Sequence, residues 1–190
     1  DTERLLSTSF SLAFDELCEG HPRTICAWLQ TGSDPAAVRS AALHLGKSMS
    51  VTSVQRPAPF VFRFFDPRLS AGLAEILGPE GWQALVGVLS GKWWMPDLGT
   101  GAVRLPDAYM HNGSSRQIPL VLSGTEYQQI ELLGWINRVQ TALGAWPLVS
   151  QPTRVELQRI VQNALNEGCS TDADVLAFAH AGLSHHPEFF

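Results

Sequence analysis

Several residue clusters in this chain have types and spacings that could carry chemistry. Gly46-Lys47-Ser48 matches the end of a phosphate-binding loop. That loop needs a further glycine five positions before Gly46, so that backbone amides can close round a phosphate. Ala41 stands there, within a predicted helix, so the triplet reads as a helix C-terminus with Lys47 at the negative end of the dipole. Gly91-Lys92-Trp93 fails the same test, because Trp cannot hold a magnesium ion. Cys18, His21 and Cys26 combine thiols with a base. Cys26, however, falls in an apolar predicted strand, where a thiol behaves as a small hydrophobe rather than an accessible thiolate. His180, His185 and His186 are the nearest approach to a metal set, and their distance from Cys169 is no zinc spacing. No G-x-S-x-G elbow occurs, since Ser123-Gly124 lacks the first glycine. Asp15 and Glu16 are adjacent on one early helix and read as solvated. No catalytic residue and no metal site is predicted.

One constellation stands apart. Arg63 lies inside the aromatic run Phe60-Val61-Phe62-Arg63-Phe64-Phe65, and Asp66-Pro67-Arg68 follows at once. A guanidinium buried in such a strand must find a partner, because an unpaired buried charge is costly. Asp66 can cap the next helix and face an arginine together. We expect Arg63, Asp66, Pro67 and Arg68 to form a structural corner between strand and helix rather than a catalytic group.

The elements that position these groups alternate. Leu5 to Cys18 is predicted helical and ends at Gly20-His21-Pro22. Thr24 to Gln30 reads as a buried strand. Ser33-Asp34-Pro35 opens a helix carrying Val38, Ala41, Ala42 and Leu45, with Gly46 as its expected stop. Phe60 to Phe65 is the strongest strand expectation. Asp66-Pro67 repeats the cap-plus-proline signal for a helix ending near Gly78-Pro79, and a second helical stretch covers about 81–89. Lys92 to Met95, Val103 to Leu105 and Ile118 to Leu122 are expected strands, with Asn112-Gly113 as a turn. Adjacent strand residues point to opposite faces, so Trp93-Trp94-Met95 could present one side chain to a partner. After Leu122 only helices follow. Ser123 with Glu126 and Thr153 with Glu156 have capping-box spacing, Trp146-Pro147 breaks the first of these helices, Gly168 ends the second, and a third spans about 172–181.

Composition bounds the reading. The chain has 190 residues, net charge −5, and 45% hydrophobic but only 16% charged content. The charged share is below the roughly 25% of an ordinary domain, so the chain either buries much of its surface or covers it with a partner. The acidic balance and the lack of any basic run argue against nucleic acid. No apolar run approaches the roughly 20 residues of a membrane span. An odd cysteine count disfavours a disulfide framework and favours a reducing compartment. No basic-then-apolar opening suggests secretion, and a chain that begins at Asp1 rather than Met reads as either a fragment or a trimmed chain.

The run from Phe60 to Leu69 resembles the aromatic-Arg-aromatic-aromatic-Asp-Pro-Arg signature of the bacterial type VI secretion effector chaperones, or adaptors (Tap or TEC proteins), first catalogued as a domain of unknown function. Trp28-Leu29, the helix carrying Leu43-His44-Leu45, and Val51 resemble that family's strand, its helix with a His-Leu pair, and its step into the signature strand. Gly46 stands where the family often has Arg. Leu122-Ser123-Gly124-Thr125-Glu126-Tyr127-Gln128 is similar to the opening of the helix after the sheet. The likeness spans about 24–143. It implies a cytoplasmic, non-catalytic protein that binds one toxic effector and helps to load it onto the VgrG spike, with the final helices as a variable lobe contributing to cargo contact.

The expectation is therefore an α/β fold: a mixed sheet flanked by helices over 1–122, then a small all-helical C-terminal lobe over 123–190. Arg63, Asp66, Pro67, Arg68 and His44 are expected to be structural. Trp93, Trp94 and Met95 are the candidate partner-binding group: either one of the two tryptophans lies outside the core, or helices cover both faces of a two-sided sheet. The expected partners are the cognate secreted effector and VgrG, with no cofactor, metal, nucleic acid or membrane. A small hydrolase or transferase with an unrecognised active site is the alternative, and a small-ligand sensor domain a third reading.

Overall fold

The computed structural model describes residues 2–18, 25–30, 34–89, 93–96, 103–104, 118–143 and 152–185. The chain forms two compact units, Asp1–Tyr127 and Gln128–Phe190. The division falls within a helix whose start the sequence had placed at the boundary.

The first unit is mixed α/β. It begins with α1 (Thr2–Cys18), β1 (Trp28–Leu29), α2 (Pro35–Ser48), β2 (Ser50–Ser53) and β3 (Phe60–Val61). Next come α3 (Pro67–Val86), a single 3₁₀ turn (Gly87–Leu89), β4 (Trp93–Pro96), β5 (Val103–Arg104) and β6 (Val121–Leu122). The strands divide between two small sheets rather than one. The order β1-β4-β5 is antiparallel throughout. In the other, β2 pairs antiparallel with β3 and parallel with β6, which makes it the mixed sheet.

Local chemistry explains the helix starts. Asp34 accepts a hydrogen bond from the Ala36 amide at 2.9 Å, and Pro35 fills the first turn where no amide is needed. Gly46 does not stop α2. The helix runs on to Ser48, and the Met49 amide donates to the Leu45 carbonyl at 2.9 Å, a stop that requires no left-handed residue. At Gly78 the backbone turns to φ 65°, ψ −179°, a conformation that suits glycine, and Pro79 opens the continuation. α3 is thus two helical stretches joined by a kink, where the sequence predicts a break. Ser123 accepts from the Glu126 amide at 3.2 Å while the Glu126 carboxylate accepts from the Ser123 amide at 2.7 Å, so the predicted capping box opens α4 (Gly124–Leu143).

Two sequence expectations are corrected here. The strand predicted over 24–30 is confined to Trp28–Leu29 and is half-buried, which leaves Cys26 in the lead-in to it. The strand predicted over 60–65 ends at Val61, because the chain turns at Arg63–Asp66, where the Asp66 amide donates to the Arg63 carbonyl at 3.0 Å. The signals at 20–22, 112–113 and 146–147, and residues Lys92 and His186, lie outside the described residues.

The second unit is helical: the later part of α4, then α5 (Arg154–Asn166) and α6 (Asp172–His185). Thr153 and Glu156 make the predicted capping box. α5 ends on Gly168 at φ 87°, with Gly168 and Cys169 donating back to Leu165 and Ala164, a paired closure of its last carbonyls. Its core joins Ile136, Val139 and Leu143 to Leu157, Ile160, Val161, Val175 and Ala179. Arg138 bridges to Asp172 at 3.2 Å and lies 4.0 Å from the Trp135 ring centroid. Among the described residues no helix is long and apolar enough to cross a membrane.

Candidate functional site: the arginine–aspartate corner

After β3 the aromatic run dives inward. The Phe62 amide donates to the Met49 carbonyl at 2.8 Å, and Phe62 and Phe64 are buried. Phe64 packs against Phe65 and Trp93 with ring centroids 5.8 and 5.5 Å apart. This anchors the turn that delivers Asp66 to the head of α3.

Asp66 is the buried member of the corner. One oxygen, Oδ1, accepts from the Arg68 amide at 3.1 Å and from Arg68 Nε at 3.0 Å. The other, Oδ2, accepts from Arg68 Nη2 at 2.6 Å. The Asp66 carbonyl also receives the Leu69 and Ser70 amides. Burial opposes ionisation of Asp66, but the hydrogen bonds and charge of Arg68, with a smaller pull from Arg63, outweigh it and hold the carboxyl below its ordinary range. A carboxylate so depressed and so fully engaged is a poor general base near neutral pH.

Arg63 departs from expectation. Its side chain is 55% exposed, and its nearest approach to Asp66 is 3.9 Å. Because the strand ends at Val61, Arg63 is not buried among aromatics and does not need Asp66. Arg68 is the bidentate partner instead. The sequence gives no signal of one further neighbour. Cys26, forty positions upstream, lies in the field of this corner. Burial pushes its thiol up, the Asp66 charge adds to this, and Arg63 and Arg68 oppose it. That environment suits packing rather than a reactive thiolate.

His44 sits elsewhere in the same unit. Its Nε2 lies 2.8 Å from the Leu85 carbonyl, which can only accept, so Nε2 carries the proton and donates. Ser48 Oγ is 3.4 Å from that same nitrogen, which therefore has no lone pair to activate the hydroxyl. His44 is a clasp between α2 and α3, and Gly46-Lys47-Ser48 is the last turn of a helix.

The third predicted group splits by strand alternation. Trp93 and Met95 are each 4% exposed and belong to the core, which corrects their placement at a partner surface. Trp94 points the other way and is 38% exposed. It pairs in register with Trp28, whose indole donates to Ser9 at 2.9 Å and meets Phe10 edge-on at 4.6 Å. The three sites are thus separate: a corner at the head of α3, a clasp at its end, and one exposed tryptophan on β4. Among the described residues no three His, Cys, Asp or Glu side chains group as metal ligands. No protein-family model, curated protein or solved structure compared with the chain matches it.

Proposed function

We propose that this chain is a non-catalytic adaptor that binds a type VI secretion effector in the bacterial cytoplasm and helps to load that toxin onto the VgrG spike. The reading starts from the resemblance of Phe60–Leu69 to the adaptor signature. The observation that carries it is the state of Asp66, the signature's one carboxylate. It is engaged by Arg68 and by the head of α3, so the motif braces a strand–helix corner. What the unit offers to other molecules is apolar surface, including Trp94 and several exposed aliphatic side chains. Aromatic anchors of this type dominate the energetics of protein interfaces.

The test is co-expression with a candidate toxin-domain effector and a VgrG protein from the same bacterium. Co-elution of chain and effector on size exclusion, and transfer of the effector to VgrG, are expected. Failure to co-elute, together with substrate turnover abolished by a point change that leaves the fold intact, would overturn the reading in favour of an enzyme.

A further inference from the structure

Helix α1 is docked along one stripe. Ala13 and Glu16 are buried, Ser9 accepts from the Trp28 indole at 2.9 Å, and Phe10 meets the Trp28 ring edge-on at 4.6 Å. Glu16 thus turns inward, which corrects its reading as solvated, while Asp15 is exposed. Beside that stripe an open groove runs along the helix, lined by α1 residues in two adjoining rows of fourfold spacing. Leu6, Phe10 and Phe14 form an apolar ridge, with Leu6 44% exposed. Ser7 and Ser11 form a furrow beside the ridge, and Glu3 and Asp15 close the two ends of that second row.

The furrow has the form that helices use to pack, a row of small side chains into which the ridge of another helix settles. Its ends are acidic. Among the described residues neither Glu3 nor Asp15 has a hydrogen-bond or ion-pair partner, and the one cation of α1, Arg4, does not line the groove. Glu3 suits the positive start of the helix dipole. Asp15 stands in the last turn, where a carboxylate is unfavourable and no basic residue offsets it, so the stability of α1 gives no account of it. The same charges decide the occupant. A second copy laid antiparallel sets Glu3 against Asp15, and one laid parallel sets each carboxylate against its own kind, so self-pairing is repelled. Helices that lie on membranes carry Lys and Arg beside their apolar stripe, and nucleic acid also demands cations. An open groove encloses too little of a small ligand.

We infer that this groove of α1 docks a helical segment of a partner protein that is apolar along one stripe and basic at both ends. Apolar side chains of the segment settle in the Ser7–Ser11 furrow against Leu6, Phe10 and Phe14, and its Lys or Arg side chains meet Glu3 and Asp15. Those two carboxylates are twelve positions apart, about 18 Å of helix, so the segment needs about the same length. This docking rests on the reading of the chain as a protein-binding adaptor and names the surface and the chemistry of what it holds.

The probe is a pair of synthetic helical peptides of about fourteen residues, with leucine at every third or fourth position and alanine between. One ends in arginines and its counterpart in glutamates. Each is titrated into the full chain and mapped by amide NMR shifts. The arginine-ended peptide should bind about tenfold tighter than the other, with shifts centred on 3–15. Ser11→Arg, which fills the furrow, should abolish binding, and Glu3→Lys combined with Asp15→Lys should invert the preference between the peptides. Leu12→Ser, exposed on the same helix but outside the groove, should leave binding unchanged. Circular dichroism verifies that each variant is folded, and the charge reversal carries the test by itself if Ser11→Arg unfolds. Several results would overturn the inference: absence of binding, equal binding of both peptides, indifference to the groove variants, or equal weakening by Leu12→Ser. So would displacement of the peptide by phosphatidylserine vesicles, or a dimer in sedimentation that Ser11→Arg disperses. An effector that co-elutes with the Ser11→Arg chain as with the native one removes this surface and leaves the adaptor reading standing. A chain that binds the peptide but no effector does the reverse.

Discussion

His44 occupies the space that a side chain on Gly87 would need. A Cβ built on Gly87 falls 2.6 Å from His44 Nε2, and Gly87 has φ 47°, a value that L side chains rarely adopt. The same imidazole donates to Leu85, two residues before Gly87. The end of α3 and the middle of α2 thus close on each other through one ring and one missing side chain.

Gly87→Ala should therefore destabilise the chain by about 2–4 kcal/mol, combining left-handed backbone strain with overpacking. In a His44→Ala background the clash is gone and only the backbone part remains. The double variant should then lie well above the sum of the two single losses. Urea denaturation of all four proteins measures this coupling. Strict additivity would mean that the two residues do not touch.

Asp66→Ala should cost about 1–3 kcal/mol, through loss of the α3 cap and of the partner of Arg68. The sign of the pH effect follows from the direction of the shift. The Asp66 carboxyl is lower in the folded chain than its ordinary value of 3.8, so its contribution is complete above that value and is lost as pH falls through the folded one. The stability advantage of the native chain over Asp66→Asn should shrink below about pH 4. Thermal melts from neutral to acid pH check this. Should the folded Asp66→Asn protein match the native chain in stability at neutral pH yet fail to co-elute with the effector, the corner is a docking surface and not a brace.

Cys26 should alkylate slowly. Burial and the Asp66 charge keep its thiol protonated, so its reaction with iodoacetamide should still be accelerating above pH 9, the ordinary thiol value. Asp66→Asn removes one of these two causes and should bring the acceleration to lower pH. Peptide-resolved mass spectrometry reads both rates. Rapid labelling at neutral pH would show the thiol to be activated.

Trp93 and Trp94 should behave oppositely although they are neighbours. Trp93→Ala empties a buried site beside Phe64 and should cost about 3–5 kcal/mol. Trp94→Ala should leave the melting temperature nearly unchanged. If Trp94 anchors the effector, the same change abolishes co-elution. Parallel losses of stability and binding would mean that Trp94 serves packing alone.

The local signals were legible because they act over two or three residues. Asp34, Asp66, Ser123 and Thr153 each cap the helix that follows, and their partners are the next amides along the chain. Proline after Asp34 and Asp66 sharpened those starts. Gly46 misled, since a glycine allows a stop without requiring one. The aromatic run misled more. Phe60 to Phe65 has strong strand propensity, but Asp66 must reach the head of α3, and the turn at Arg63 that brings it there ends the strand at Val61.

By itself, then, the sequence determined the mixed α/β start, the all-helical end, the helix caps and the corner at Asp66, because each depends on side chains meeting backbone a few positions away. Only the tertiary structure decided that the strands form two sheets and that Arg68 rather than Arg63 grips Asp66. It also decided that Cys26 falls within the field of that pair, that His44 fills the space over Gly87, and which of two adjacent tryptophans is buried. Those relationships set charge, space and exposure between segments tens of residues apart, and no periodicity along the chain encodes which segments will meet.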